Sequence, residues 1–210
     1  MRPDVHDDAI VYVLDDDASV RAAVEDLLSS VGLAVRSFAS AAEFWQFWQA
    51  GGQDAPERPA CLVLDIRMPG QSGMELRRQM LDQDLQLPTI FITGHGDIRM
   101  GVEAMKTGAI EFLTKPFRDQ DLIDAIQQGI ARDRLRRAGE LARHAARARW
   151  RQLSRGEQDV VRLVVRGWLN KQVAAELGVS EVTVKVRRAQ AMRKMEADSL
   201  ADLVRMYDRL

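Results

Sequence analysis

The sequence predicts two architectures in one chain. A doubly wound, parallel five-stranded α/β domain comes first, an all-α, tetra-helical helix-turn-helix domain comes second, and a long helix joins them. Three observations carry this reading. Up to about residue 125, short apolar runs that stop at breakers alternate with helical apolar stripes, the pattern of parallel strands with crossover helices. From 118 to 151 there is no proline, and beyond Asp133 the chain is rich in Arg and Ala, a composition that favours helix. After residue 153, short stretches opened by Ser or Asn and closed by Gly follow one another, as in a set of small capped helices.

Taken in order, AIVYVL over 9–14 is an apolar run ending in Asp15-Asp16-Asp17. A helix is expected over 18–31, with Val20, Val24, Leu27, Leu28 and Val31 on one stripe and Gly32 ending it. A short strand over 35–38 precedes a helix over 40–50, where Ser40 followed by Glu43 has capping-box spacing. Phe44, Phe47 and Trp48 share a face of that helix and Trp45 lies off it. Core packing is expected for all four, with an exposed partner patch around Trp45 as the alternative. After a polar loop over 51–59, CLVL ends at Asp65 and Pro69-Gly70 force a turn. A helix over 72–81, a strand over 87–92 ending at Thr93-Gly94, a helix over 97–107 and a strand over 109–113 follow. His95, between two glycines, is read as a loop residue. Lys115 precedes Pro116, so it is held extended and the bond could be cis. From 118 the helical stripe is Leu122, Ile126, Ile130 and Leu135, with a break near Gly139 left open.

The second domain has Ser154 and Glu157 at capping-box spacing, a helix over 154–166 packed through Val160, Leu163 and Val164, and a break at Gly167. Asn170 is expected to cap a helix over 171–177, which Gly178 stops at a left-handed position. Ser180 caps Glu181–Met195, and the last helix covers 199–207.

Composition narrows the function classes. Apolar residues make up 46% of the 210, an ordinary globular share, and no apolar run approaches a membrane span. The opening MRPDVHDD is acidic and shows no signal peptide. The single cysteine, Cys61, opens a predicted strand and suits a structural role in the cytoplasm. Charge is divided: 21 Asp and Glu against 11 Lys and Arg in residues 1–124, but 10 against 19 in residues 125–210. An acidic regulatory half joined to a nucleic-acid-binding half fits that asymmetry.

The chemistry collects at strand ends. If the strands ending in Asp15-Asp16-Asp17 and in Asp65 are parallel neighbours, several carboxylates meet at one sheet edge, where sites form in open α/β sheets. Like charges there repel unless a cation sits among them. Mg²⁺ suits oxygen ligands with open positions. The plainer reading makes these acids solvated turn residues or helix caps. Thr93 and Lys115 at two further strand ends weigh against it.

The segments VLDDD, VLDIRMPG, FITGHGD and EFLTKPF, in this order, resemble the receiver domain of two-component response regulators, a flavodoxin-like fold, over residues 10–130. The resemblance implies that Asp65 is the phosphoacceptor and that Asp15, Asp16 and the backbone carbonyl of Arg67 hold Mg²⁺ together with Asp65. It further implies that Thr93 and Lys115 contact the phosphoryl group and that Phe112 is an aromatic switch. Asp17 is read as a neighbouring acid.

On a wheel of ~100° per residue, Val184, Ala191 and Met195 fall on an inward stripe, and Val182, Lys185, Val186, Ala189 and Arg193 fall opposite. Small apolar residues among cations suit a major groove, where Lys meets guanine acceptors and Val meets thymine methyls. Flanking Arg187, Arg188 and Lys194, with the helix N-terminus, suit phosphates. LSRGEQDVV, GWLNKQVAAELGVSEVTVKV and KMEADSLADLV resemble the LuxR-type DNA-binding domain, with Arg187 where that family usually has His. The resemblance puts Lys171, Thr183, Lys185, Val186, Arg187, Arg188, Ala189 and Arg193 at DNA. Both domains with the TGHGD loop look like the FixJ subfamily.

The expected organisation is a receiver over 8–125, a helical linker over 126–152 and the DNA-binding domain over 153–210, with the helix-turn-helix at about 170–189. The function implied is a cytoplasmic, non-enzymatic transcription regulator. A sensor histidine kinase phosphorylates it on Asp65 with Mg²⁺, and it binds double-stranded promoter DNA as a homodimer, with RNA polymerase a candidate contact and no membrane partner. Two alternatives stand beside it. One is a Mg²⁺-dependent aspartyl-nucleophile phosphohydrolase, which would carry a second Asp where Arg67 stands. The other is a constitutive DNA binder with a vestigial receiver.

Overall fold

In the computed structural model, residues 9–51, 58–94 and 98–210 are described. His95 and the expected helix start at Asp97 lie outside them. The chain divides into two compact units, Met1–Arg137 and Ala138–Leu210.

The first unit is built on strands β1 (Ile10–Leu14), β2 (Ala34–Phe38), β3 (Ala60–Asp65), β4 (Thr89–Thr93) and β5 (Glu111–Thr114), all parallel, in the order β2-β1-β3-β4-β5. Helices α1 (Ala18–Ser30), α2 (Ala41–Gln49), α3 (Gly73–Asp82) and α4 (Ile98–Lys106) connect them, and α5 (Asp119–Arg151) follows. Strand residues alternate between faces, and the core divides accordingly. Tyr12, Leu14, Leu62, Leu64 and Phe91 pack with α2 and α3 through Phe44, Leu76 and Met80, and with Ala104 of α4. Val11, Val13, Val63, Ile90 and Ile92 pack with Val24 and Leu28 of α1 and Leu122, Ile126 and Ile130 of α5. Both sheet faces are covered, so central strands are continuously apolar.

Several details differ from expectation. β4 begins at Thr89 rather than 87, because Pro88 has no N–H to give the ladder. β5 begins at Glu111 rather than 109; Ala109 and Ile110 are apolar because they are buried ahead of the pairing. Trp45 does not form an exposed patch: it is 8% exposed, lies edge-on to Phe44, and donates Nε1–H to Gln79 Oε1 at 3.0 Å. α5 is helical at Gly139. Within it Asp133 is fully buried and accepts the Ala60 N–H at the foot of β3 at 2.9 Å. Its other partners are Arg136 and Arg137, through Nε at 2.9 and 2.5 Å. No helix among the described residues is long and apolar enough to cross a membrane.

The second unit contains α6 (Arg155–Val164), α7 (Asn170–Leu177), α8 (Glu181–Met195) and α9 (Leu200–Tyr207). One cluster joins Val160 and Val164 of α6 to Val173 and Ala174 of α7 and Val184 of α8. A second joins Leu153, Val161, Ala191, Met195 and Leu203, so α8 is buried along the stripe its periodicity predicts. The α7–α8 turn rests on Gly178 in the left-handed region at φ 64 and on Ser180, whose hydroxyl accepts the Thr183 N–H at 3.1 Å. Asn170 is not the cap of α7. Leu169 holds that position, with its N–H bound by Gln172 Oε1 at 2.9 Å. The Asn170 side chain instead accepts from Arg188 at 3.2 Å.

Candidate functional site

Parallel pairing of β1 with β3, Leu14 opposite Leu64, brings the next residues of each strand, Asp15 and Asp65, to the same edge. Carboxylate oxygens of Asp15, Asp16 and Asp65 lie within 4.8 Å of one another. Asp15 and Asp65 are buried at 1% and 4% exposure while Asp16 is exposed, so the cluster opens to solvent on one side. β4 and β5 add the rest. Thr93 is fully buried and its carbonyl accepts the Lys115 N–H at 2.8 Å. The Lys115 ammonium then bridges the acids, with Nζ 2.5 Å from Asp15 Oδ2 and 3.1 Å from Asp65 Oδ1. The Lys115–Pro116 peptide is cis.

The electrostatics follow from this placement. Burial raises the Asp65 pKa above its ordinary value, against the lowering effect of Lys115 and of the Arg67 N–H, which reaches Asp65 Oδ2 at 2.9 Å. Burial also works against the Lys115 charge, but hydrogen bonds to Asp15 and Asp65 outweigh it and raise its pKa. Asp17 serves α1: its carboxylate caps the helix through the Ser19 N–H at 2.8 Å and takes the Ser19 hydroxyl. Phe112 is half-buried on β5, its ring facing Gly101 of α4, where a Cβ would sit 3.4 Å from the ring.

Two contributors gave no local signal in the sequence. Arg21, one turn into α1, donates Nη1–H to the carbonyls of Asp15 at 2.7 Å and Asp16 at 3.0 Å, fixing the acidic turn. Gly73 opens α3 directly against β3: a Cβ there would collide with the Asp65 carbonyl oxygen and lie 3.0 Å from the Leu64 side chain. Backbone cannot yield as a side-chain end can. Gly73→Ala is therefore expected to destabilise by about 1–3 kcal/mol and to slow phosphoryl uptake. Denaturant melts and phosphorylation time courses measure the two effects.

In the second unit, α8 presents Val182, Lys185, Val186, Ala189 and Arg193 to solvent, and α7 presents Lys171. The other predicted DNA residues have protein partners. The Thr183 hydroxyl lies 2.9 Å from that of Ser180, Arg188 holds Asn170, and the Arg187 guanidinium lies over Gly156, where a Cβ would come within 2.8 Å of it. Lys194 turns to the buried Glu157, with Nζ 2.7 Å from Oε2.

A sheet edge of this kind joined to a helix-turn-helix defines a class. The response regulator receiver domain family matches residues 11–127, and the luxR family of bacterial regulatory proteins matches residues 151–207. The chain belongs to the response regulators that pair a receiver with a LuxR-type DNA-binding domain. Among its relatives, Nodulation protein W of Bradyrhizobium diazoefficiens is 48% identical over 202 residues, 96% of this chain and 86% of that protein. Transcriptional regulatory protein FixJ of Rhizobium meliloti is 42% identical over 95% of each chain. The structure of response regulator StyR aligns with a TM-score of 0.81 at 45% identity, covering 97% of this chain and all of that one. Full-length FixJ from B. japonicum aligns at 0.56 and 38% identity, covering 96% of each.

Proposed function

We propose that this chain accepts a phosphoryl group on Asp65 from a sensor histidine kinase and in that form binds promoter DNA as a homodimer. The observation that supports it most is the Lys115 ammonium bridging Asp15 and Asp65 beside the solvent-open carboxylate of Asp16. Three converging carboxylates are hard oxygen donors that fit Mg²⁺. Asp15, Asp16 and Asp65, with the Arg67 carbonyl, would hold it. When bound, Mg²⁺ supplies neutralising charge for the phosphoryl oxygens.

The chain's own groups do the rest. The Asp65 carboxylate attacks phosphorus; the new P–O bond forms as the P–N bond to the kinase imidazole breaks. The Arg67 N–H and Lys115 orient the carboxylate. Lys115 and the Thr93 hydroxyl then hold the phosphoryl oxygens, and Phe112 follows Thr93 inward, changing the surface of α4 and β5. Receivers pair through the changed surface and present two α8 helices to two half-sites. Lys185, Val186 and Ala189 read bases, and Lys171, Arg188 and Arg193 contact phosphates. In this reading residues 8–125 are the receiver, 126–152 the linker and 153–210 the DNA-binding domain, and the protein works in the cytoplasm.

Regulation rather than turnover is favoured by Arg67: a phosphohydrolase of this chemistry carries a general acid two residues after its nucleophile. The test is sizing, and binding to a duplex selected from a random library, with and without acetyl phosphate and Mg²⁺. Phosphorylation is expected to shift monomer to dimer and to tighten binding. Affinity should fall with salt at a log–log slope of about −0.9 per phosphate contacted. Binding indifferent to phosphorylation would transfer the case to a vestigial receiver.

A further inference from the structure

At the opposite end of the first sheet from Asp65, a cavity of about 350 Å³ opens where α3, α5 and the turns leading into β4 and β5 meet. Arg77, Arg132 and Arg136 line it, with Asp84 as the one carboxylate among its described lining residues. The Arg77 side chain is built into the wall. It is 5% exposed and donates Nη1–H to the Leu87 carbonyl at 3.1 Å and Nη2–H to the Thr107 carbonyl at 3.5 Å. Arg77 Nε is the one buried side-chain nitrogen or oxygen among the described residues with no hydrogen-bond partner. Arg132, from α5, reaches the next carbonyl along, Gly108, at 3.5 Å. Two guanidiniums from different helices thus converge on two successive peptide carbonyls.

Carbonyls satisfy donors but bring no negative charge. Of the nearby carboxylates, Asp133 takes Arg136 and Arg137, and the exposed Asp84 accepts from Gln86 Nε2 at 2.9 Å within the lining. Burial and the nearby Arg132 charge both lower the Arg77 pKa. A buried cation facing a second cation is costly, and a planar or tetrahedral oxyanion bound by both forks turns that repulsion into charge-assisted hydrogen bonds.

We propose that this cavity is a binding site for a small oxyanion, a carboxylate or phosphate group held between Arg77 and Arg132. Leu81, Leu87 and Pro88 form apolar lining and limit the occupant to a compact body. Because its two ligands come from α3 and α5, occupancy fastens these two helices together independently of Asp65.

The test is calorimetry on the full chain, with EDTA and at constant ionic strength set by chloride, using inorganic phosphate in one arm and succinate in the other. At least one is expected to bind with Kd on the order of 1 mM or tighter. Arg132 is exposed, so Arg132→Gln should keep the fold, checked by circular dichroism, and weaken binding roughly tenfold or more. Lys115→Ala should leave binding unchanged, which separates this cavity from the phosphoacceptor edge. Binding in the phosphate arm alone assigns a phosphate ligand, and in the succinate arm alone a carboxylate. Absence of binding in both arms up to tens of millimolar, undiminished binding in Arg132→Gln, or loss in Lys115→Ala each overturns the proposal.

Discussion

Asp65→Asn is expected to take up no phosphoryl group from acetyl phosphate with Mg²⁺, and to show no phosphodonor-dependent gain in DNA affinity. The change keeps shape and removes the nucleophile. The amide oxygen can still accept the Arg67 N–H that now reaches Asp65 Oδ2 at 2.9 Å, so the turn after β3 is preserved. Stability has two opposing contributions. Removing the charge relieves the burial that raises the Asp65 pKa, while Lys115 loses one of its two carboxylates. Removing one partner of a buried pair costs most when it strands a charge; here Lys115 keeps Asp15, so the melting temperature should move by only a few degrees. Intact-mass spectrometry reads the uptake. Incorporation retained at the wild-type rate would falsify the assignment of Asp65.

Two lysines nine residues apart on α8 are expected to fail in opposite ways. Lys185 is exposed. Lys185→Ala should leave the melting temperature in place and cost about 1–3 kcal/mol of discrimination at one base pair, read as a selective loss on the preferred duplex against a scrambled one. Lys194 pairs with Glu157, whose side chain is 4% exposed while that of Lys194 is 40% exposed. Lys194→Met leaves a buried carboxylate to the Ser154 N–H, at 2.7 Å. Solvent around Lys194 screens the pair, so the loss should be about 1–2 kcal/mol, below that for a fully enclosed pair. Its loss of DNA affinity should not depend on sequence. Burial works to raise the Glu157 pKa, but Lys194 and Ser154 hold it below the ordinary 4.5. The pair therefore contributes fully above that pH, and the contribution is lost as pH falls through the lowered value. Thermal melts of wild type and Lys194→Met should converge in acid.

The layered architecture was legible because breakers and periodicity are local. The stripe on α8 needed only spacing, and it packs as Val184, Ala191 and Met195. Strand ends were less legible, since Ala109 and Ile110 show that apolarity reports burial rather than pairing. The acids at two strand tips were visible; their meeting at one edge depended on β1 and β3 being neighbours. Contacts between residues distant in sequence left no trace. Nothing near Arg77 or Asp133 announces partners 30 and 73 residues away, and the approach of Gly73 to β3 follows from helix placement. Asn170 misled because a good capping residue was assigned the cap when Leu169 holds it and Asn170 is needed by Arg188.

The Asp133 bond to the Ala60 N–H has a mechanical consequence. β3 carries Asp65 at its tip, and at its foot it is tethered to α5. A strand moored there cannot slide lengthwise along that helix without giving up a hydrogen bond to a fully enclosed carboxylate. Any displacement begun at the tip is therefore steered sideways, toward β4 and β5 on one flank, while the middle of α5 at Asp133 acts as the fixed pivot.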